Sequence, residues 1–161
     1  MLGYAKLHDE AFIAGLMHDT GKVLMFNHNP ESYQNVFKYS FENNCNSIEA
    51  EKKYFGFDHC EVGQEAVKEW KLPTRFNDYM GTNISIPDSK YFEDPVLQSL
   101  SAANCLIKSA GIGANKVDDS ELKKTALRSF ALNDELIEYL LQEQFTEELM
   151  ENETYQLCAS I

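Results

Sequence analysis

Four of 161 residues are proline, and no stretch sustains the period-two alternation that half-buried strands require. A sheet is therefore not expected. No apolar run approaches the ~20 residues of a membrane span, and Met1-Leu2-Gly3-Tyr4 has no basic region leading into an apolar one. The chain is expected to be cytoplasmic and to have no membrane partner. The four cysteines, Cys45, Cys60, Cys105 and Cys158, are far apart and form no Cys-x-x-Cys pair. That usage fits small buried thiols in a reducing compartment. No P-loop, dinucleotide fingerprint or Gly-x-Ser-x-Gly elbow occurs.

Basic residues are scarce too. The formal net charge is −12, which argues against a nucleic-acid partner because such binding needs basic surface to displace counterions. After Arg128 there is no lysine or arginine, while Asp134, Glu135, Glu138, Glu143, Glu147, Glu148, Glu151 and Glu153 lie beyond it. These eight supply −8, leaving −4 for the first 128 residues. They read as a solvated helix face rather than a docking site.

Nearly every segment carries helix signals, and the length suits one all-α domain, a compact multi-helix bundle. Asp9 is placed to cap a first helix that ends near Asp19, and Lys22 to Phe26 makes a short second turn. Pro30 opens a helix through Asn43. Asn46 with Glu49, and Asp58 with Glu61, have capping-box spacing for helices over 47–55 and 59–70. A short helix is expected over 74–80, then an irregular stretch to Asp94. Pro95 opens a helix to Ala110, Gly111 and Gly113 stop it, and another helix spans 121–130. The last helix runs through 133–158 as an acidic extension, with Ile137, Leu141, Phe145 and Leu149 on one face.

The chain is organised around Phe12-Ile-Ala-Gly-Leu-Met-His18-Asp19-Thr-Gly21-Lys22. Adjacent helical residues point about 100° apart, so His18 and Asp19 converge only at a helix end, where Gly21 is free to turn left-handed. An imidazole, a carboxylate and the nearby Lys22 ammonium suit a divalent metal and an anionic substrate. The same residues also suit a plain helix terminus, with His18 bonded internally, Asp19 capping the next helix and Lys22 complementing the helix dipole. His59, inward-facing at the first turn of its helix, is either a third ligand or a satisfied core histidine. Asn104 lies amid small and apolar residues; it needs a partner if buried and is a weak metal ligand. His28 reads as a surface residue, and Cys60 beside His59 diverges from it and is no nucleophile pair.

Together these segments resemble one family. The His18-Asp19 stretch is similar to the signature of the HD superfamily of metal-dependent phosphohydrolases. Glu51-Lys-Lys-Tyr-Phe-Gly-Phe-Asp-His-Cys-Glu-Val-Gly63, Glu69-Trp-Lys-Leu-Pro73 and Leu100-Ser-Ala-Ala-Asn104 with Gly111-Ile-Gly113 resemble its HDOD branch, over roughly residues 9–115. The resemblance implies an HD-like helical fold and a bacterial signal-transduction module, regulatory or scaffolding rather than catalytic, acting through other signalling proteins or a small ligand.

It also implies a metal set of His18, Asp19, His59 and Asn104, with Lys22 as the one catalytic candidate. Here that set is degenerate. The family's distant aspartate corresponds to Asn104, the additional histidine pair has no counterpart near 79–83, and the helices carrying the upstream histidine would lie before Met1. No cofactor is expected beyond one weakly held divalent metal. Uncovered apolar surface should lead to self-association or to another chain filling the gap. The alternative is a metal-dependent phosphohydrolase acting on a nucleotide or cyclic nucleotide.

Overall fold

The computed structural model describes residues 2–84, 94–109, 127, 134–153 and 155–156, and among these every regular element is a helix. They fall into two compact units, Met1–Ser101 and Ala102–Ile161. The boundary between them falls inside a single helix.

In the first unit α1 (Leu2–Met17), α2 (Thr20–His28), α3 (Pro30–Asn43), α4 (Ser47–Phe55), α5 (His59–Glu69) and α6 (Phe76–Met80) precede the opening of α7 (Pro95–Ser109). Local chemistry sets most boundaries. The Asn29 side chain accepts from the Ser32 N–H at 3.0 Å with Pro30 behind it, where its missing donor costs nothing. The α3 helix closes at Asn44 in the left-handed region, φ 48°. Asn46 accepts from the Glu49 N–H at 2.9 Å, and α4 stops at Gly56, φ 82°. Asp94 caps α7 through the Val96 N–H at 2.8 Å.

The box at α5 is complete. Asp58 Oδ1 accepts from the Cys60 and Glu61 N–H groups at 2.9 and 3.0 Å, and Glu61 Oε2 accepts from the Asp58 N–H at 2.8 Å. Burial alone would raise the Asp58 carboxyl, but these donors and Lys52 Nζ at 2.9 Å hold it below its ordinary 3.8. Asp58→Ala is therefore expected to cost about 1–2 kcal/mol at neutral pH. A carboxyl depressed in the folded state stabilises above its unfolded pKa and loses that stabilisation as pH falls through the folded one. Urea titrations of both proteins should thus draw together as pH falls below about 4 and converge only beneath the depressed folded pKa, under the ordinary carboxylate range.

Three apolar clusters hold this unit. Ala14 meets Tyr79, Ile84, Val96, Leu97 and Leu100. Met25 meets Tyr33, Val36 and Ala50. Ala66 and Val67 meet Met80, with Met17 and Leu24 against them. Arg75 ties the first cluster's edge, pairing with Glu10 at 2.6 Å and bonding the Tyr79 hydroxyl, which donates to Glu10 at 2.9 Å.

In the second unit Ala102, Leu127 and Ile137 form a core with Leu106, Leu140 and Leu141 against it. Its described helices are the rest of α7, α8 (Asp134–Leu140) and α9 (Glu143–Glu151). All eight acidic residues of 134–153 are exposed, as a solvated face requires.

Two local expectations fail. Asp9 is no cap, because α1 already begins at Leu2; the exposed Asp9 carboxylate instead lies 3.6 Å from His8. The last helix is broken at Leu141–Gln142, where the Leu141 N–H is shared between the Ile137 and Glu138 carbonyls and Gln142 turns extended, ψ 151°. The break brings the Tyr139 and Phe145 rings together at 5.7 Å and puts Leu140 and Leu141 on the core, so the four-residue stripe does not run along one helix. The expected stop at Gly111 and Gly113 and nearly all of the helix over 121–130 lie outside the described residues. Among the described residues no helix is long and apolar enough to cross a membrane, and neither Cys45 nor Cys60 is in a disulfide.

Candidate functional site

The α1 helix ends at Met17, and His18-Asp19 form the turn into α2. The His18 N–H still reaches the Ala14 carbonyl at 2.9 Å, and its Nδ1 lies 2.7 Å from the Gly15 carbonyl oxygen. A carbonyl only accepts, so Nδ1 carries the hydrogen and Nε2 is free. Nε2 lies 3.5 Å from Asp19 Oδ2.

The second imidazole arrives through close helix packing. Gly21 sits inside α2 rather than in a left-handed turn, since Gly56 is the one positive-φ glycine among the described residues. Its lack of a side chain serves the α2–α5 contact instead. A Cβ at Gly21 would overlap the His59 carbonyl oxygen and come within 2.7 Å of its carbon. Only glycine lets α5 bring His59 this near.

His59 is then fixed from behind. Glu51 Oε2 accepts both its backbone N–H at 2.9 Å and its Nδ1–H at 2.6 Å, while Glu51 Oε1 accepts from the Tyr33 hydroxyl at 2.7 Å. Glu51 is 0% exposed, and three donors satisfy it. His59 Nε2 is left 3.8 Å from Asp19 Oδ1. Burial, then the bond to Glu51 and its charge, drive the Tyr33 hydroxyl far above its usual range, so it stays a donor.

Asp19 is the centre of this arrangement. It makes no side-chain cap to α2; both oxygens take the Lys22 ammonium, Oδ1 at 2.8 Å and Oδ2 at 2.9 Å. Burial would raise its carboxyl, but Lys22, His18 and His59 together hold it below the usual range. The dipole-complement role of Lys22 therefore gives way to a specific ion pair. Burial, then Asp58 and Glu51, push the neighbouring Cys60 thiol up to about 12, so it is no nucleophile at neutral pH.

Two anchored imidazoles and a carboxylate are donors that suit one transition-metal ion. Their backing by the Gly15 carbonyl and the Glu51 carboxylate is the outer-shell support that metal-bound histidines use. Separations of 3.5 and 3.8 Å leave room for a bridging atom. Yet both imidazoles face Asp19 rather than a common point, and among the described residues no three His, Cys, Asp or Glu side chains are arranged to hold an ion. Among those residues Asp19 is also the single carboxylate facing both, and Lys22 already claims it. By donor count the set would offer at most one ion a site, in competition with Lys22. Asn104 is half-buried on α7 and belongs to the second unit.

Sequence reasoning gave Glu51 and Tyr33 no role. The available signal was Glu51 beside Ala50 on the inward side of α4, eight residues before His59.

A family model described as HDOD domain matches residues 1–83, more than half of the chain. No curated protein and no solved structure matches it. The His18-Asp19 turn, the glycine contact that admits His59 and the capped Phe57-Asp58-His59 corner all lie within the matched stretch, and the chain belongs to the HDOD family of signalling-associated, HD-related domains.

Proposed function

We propose that the chain is a non-catalytic regulatory module of a bacterial, cytoplasmic signalling system, in which the HD-type site survives as a polar pocket. One observation carries this reading: Lys22 bridges both oxygens of the only carboxylate, among the described residues, that faces both imidazoles. Two-metal hydrolysis needs several anionic oxygens to hold two dications and a bridging hydroxide, and Asp19 supplies two that are already engaged.

The module works by protein contact, and α1 supplies a surface for it. The helix buries Ala14 and packs Leu7 and Ala11 inward, yet also exposes Phe12 at 64% and Leu16 at 76%, with Ile13 beside them. A helix apolar on two opposite sides is normally covered on both, and a second copy of the chain is the occupant we assign.

The anchored imidazoles favour a second reading, a single-metal phosphohydrolase acting on a nucleotide or cyclic nucleotide, with Lys22 released from Asp19 to hold phosphate. One preparation of the full chain tests both. We expect substoichiometric metal by elemental analysis, no hydrolysis of nucleotides or cyclic nucleotides with Mn²⁺, Mg²⁺ or Fe²⁺, and a dimer by light scattering. Stoichiometric metal, with turnover abolished by Asp19→Ala, would establish the second reading; a clean monomer would remove the dimer.

A further inference from the structure

A cleft of about 280 Å³ opens further along the α2–α5 seam, away from Asp19, lined by Leu24, Met25, His28, Phe55, Phe57 and Val62. Its construction rests on Gly56. The left-handed turn there, φ 82°, ends α4 and carries Phe57 to within 5.9 Å of the Phe55 ring at an interplanar angle of 47°. Met25 is buried, whereas Phe57 and His28 are exposed.

We propose that this cleft binds a neutral aromatic molecule of one or two rings, and that occupancy is felt at His59 through Phe55, Tyr33 and Glu51. Among the described residues no carboxylate, ammonium or guanidinium lines the cleft, so an ion entering it would lose hydration with only the His28 imidazole to answer it. An apolar cavity of about 150 Å³ holds benzene, so the present volume admits a fused two-ring system such as indole. Phe55 and Phe57 leave ring faces and edges for offset or T-shaped contact, which favours an aromatic guest over an aliphatic one. Among the described residues His28 is the single polar one lining the cleft, and its imidazole can meet an indole N–H or a phenol hydroxyl.

The path inward is continuous. Phe55 lies 6.1 Å from Tyr33, centroid to centroid. The Tyr33 hydroxyl holds one oxygen of Glu51, and the other oxygen holds His59. Tyr33 also packs edge-on against Phe26 and Phe37, so a displaced Phe55 cannot move without pressing on a ring whose hydroxyl is fixed. Nothing in this inference depends on whether the His18-Asp19 site holds a metal.

The test is an NMR titration of the full chain with indole, and with benzoate as the charged counterpart. We expect saturable shifts of the Leu24 and Val62 methyl groups with indole, and binding of benzoate at least about tenfold weaker. Val62→Phe, which fills the cleft, should abolish the shifts. Phe57→Ala, at the exposed rim where folding is not at stake, should weaken indole about fivefold. The His59 imidazole nitrogens should shift with indole in the wild type. In Tyr33→Phe they should stay put while the methyl shifts persist. Non-saturable shifts, equal binding of benzoate, undiminished binding by Phe57→Ala, or a His59 response unchanged in Tyr33→Phe would each overturn the proposal.

Discussion

Glu51→Ala is expected to cost about 3–5 kcal/mol, a large part of the stability of a domain this size. Three donors converge on that carboxylate from two other helices: the Tyr33 hydroxyl from α3, and the His59 backbone and ring N–H groups from α5. Truncation leaves all three inside the protein without an acceptor, and each unmet donor carries its own desolvation cost. Glu51→Gln separates charge from bonding. Its amide oxygen can still take the His59 pair, and its amide nitrogen can donate to the Tyr33 oxygen, so a loss nearer 1–2 kcal/mol is expected. Urea unfolding of the three proteins, with unchanged slopes, checks the ranking. Equal losses for alanine and glutamine would show that the charge, not the bonding, holds the corner together.

A second large effect is expected from one methyl group. Gly21→Ala places a Cβ against the His59 carbonyl, and backbone on both sides leaves no flexible side chain to yield. The helices α2 and α5 must part, and the expected loss is about 3 kcal/mol or more, at the upper end for overpacking. Gly15→Ala is the control. Its Cβ would meet Leu100 Cδ2 at 3.4 Å, ordinary contact, and mid-helix alanine should add about 0.5–1 kcal/mol. Thermal melts of the two variants should shift in opposite directions. Because His59 rides on the same contact, Gly21→Ala should also disturb the His59 ring resonances, which Gly15→Ala leaves in place.

The contrast between these residues explains what could be read from the chain alone. Helix ends were legible where a cap is local: Asn29-Pro30, Asn46, Asp58 with Glu61 and Asp94-Pro95 each answer orphan N–H groups within three residues. Asp9 misled because capping chemistry also occurs inside a helix, with nothing nearby to mark the true start at Leu2. The break at Leu141–Gln142 carries neither glycine nor proline, so only its packing on Ala102, Leu127 and Ile137 distinguishes it from continued helix.

At the site, His18 and Asp19 were found because they are adjacent, and His59 because it opens a capped helix. Glu51 was passed over because glutamate usually faces water, and its burial depends on Tyr33 and His59 arriving from elsewhere. Gly21 was noticed for the wrong reason. Its value lies in the space it leaves to a neighbouring helix, which no local pattern encodes.

The Lys22–Asp19 pair has a consequence beyond its own geometry. The chain as a whole carries −12, yet Asp19, the one carboxylate among the described residues that faces both imidazoles, is paired with a cation on the next turn. Asp19 thus adds little to the field an anion meets at the pocket, while the net negative chain repels it at a distance, so its encounter rate should rise with added salt as the Debye length shrinks towards ~8 Å at physiological ionic strength. This reverses the salt dependence of a site that draws anions in by long-range attraction.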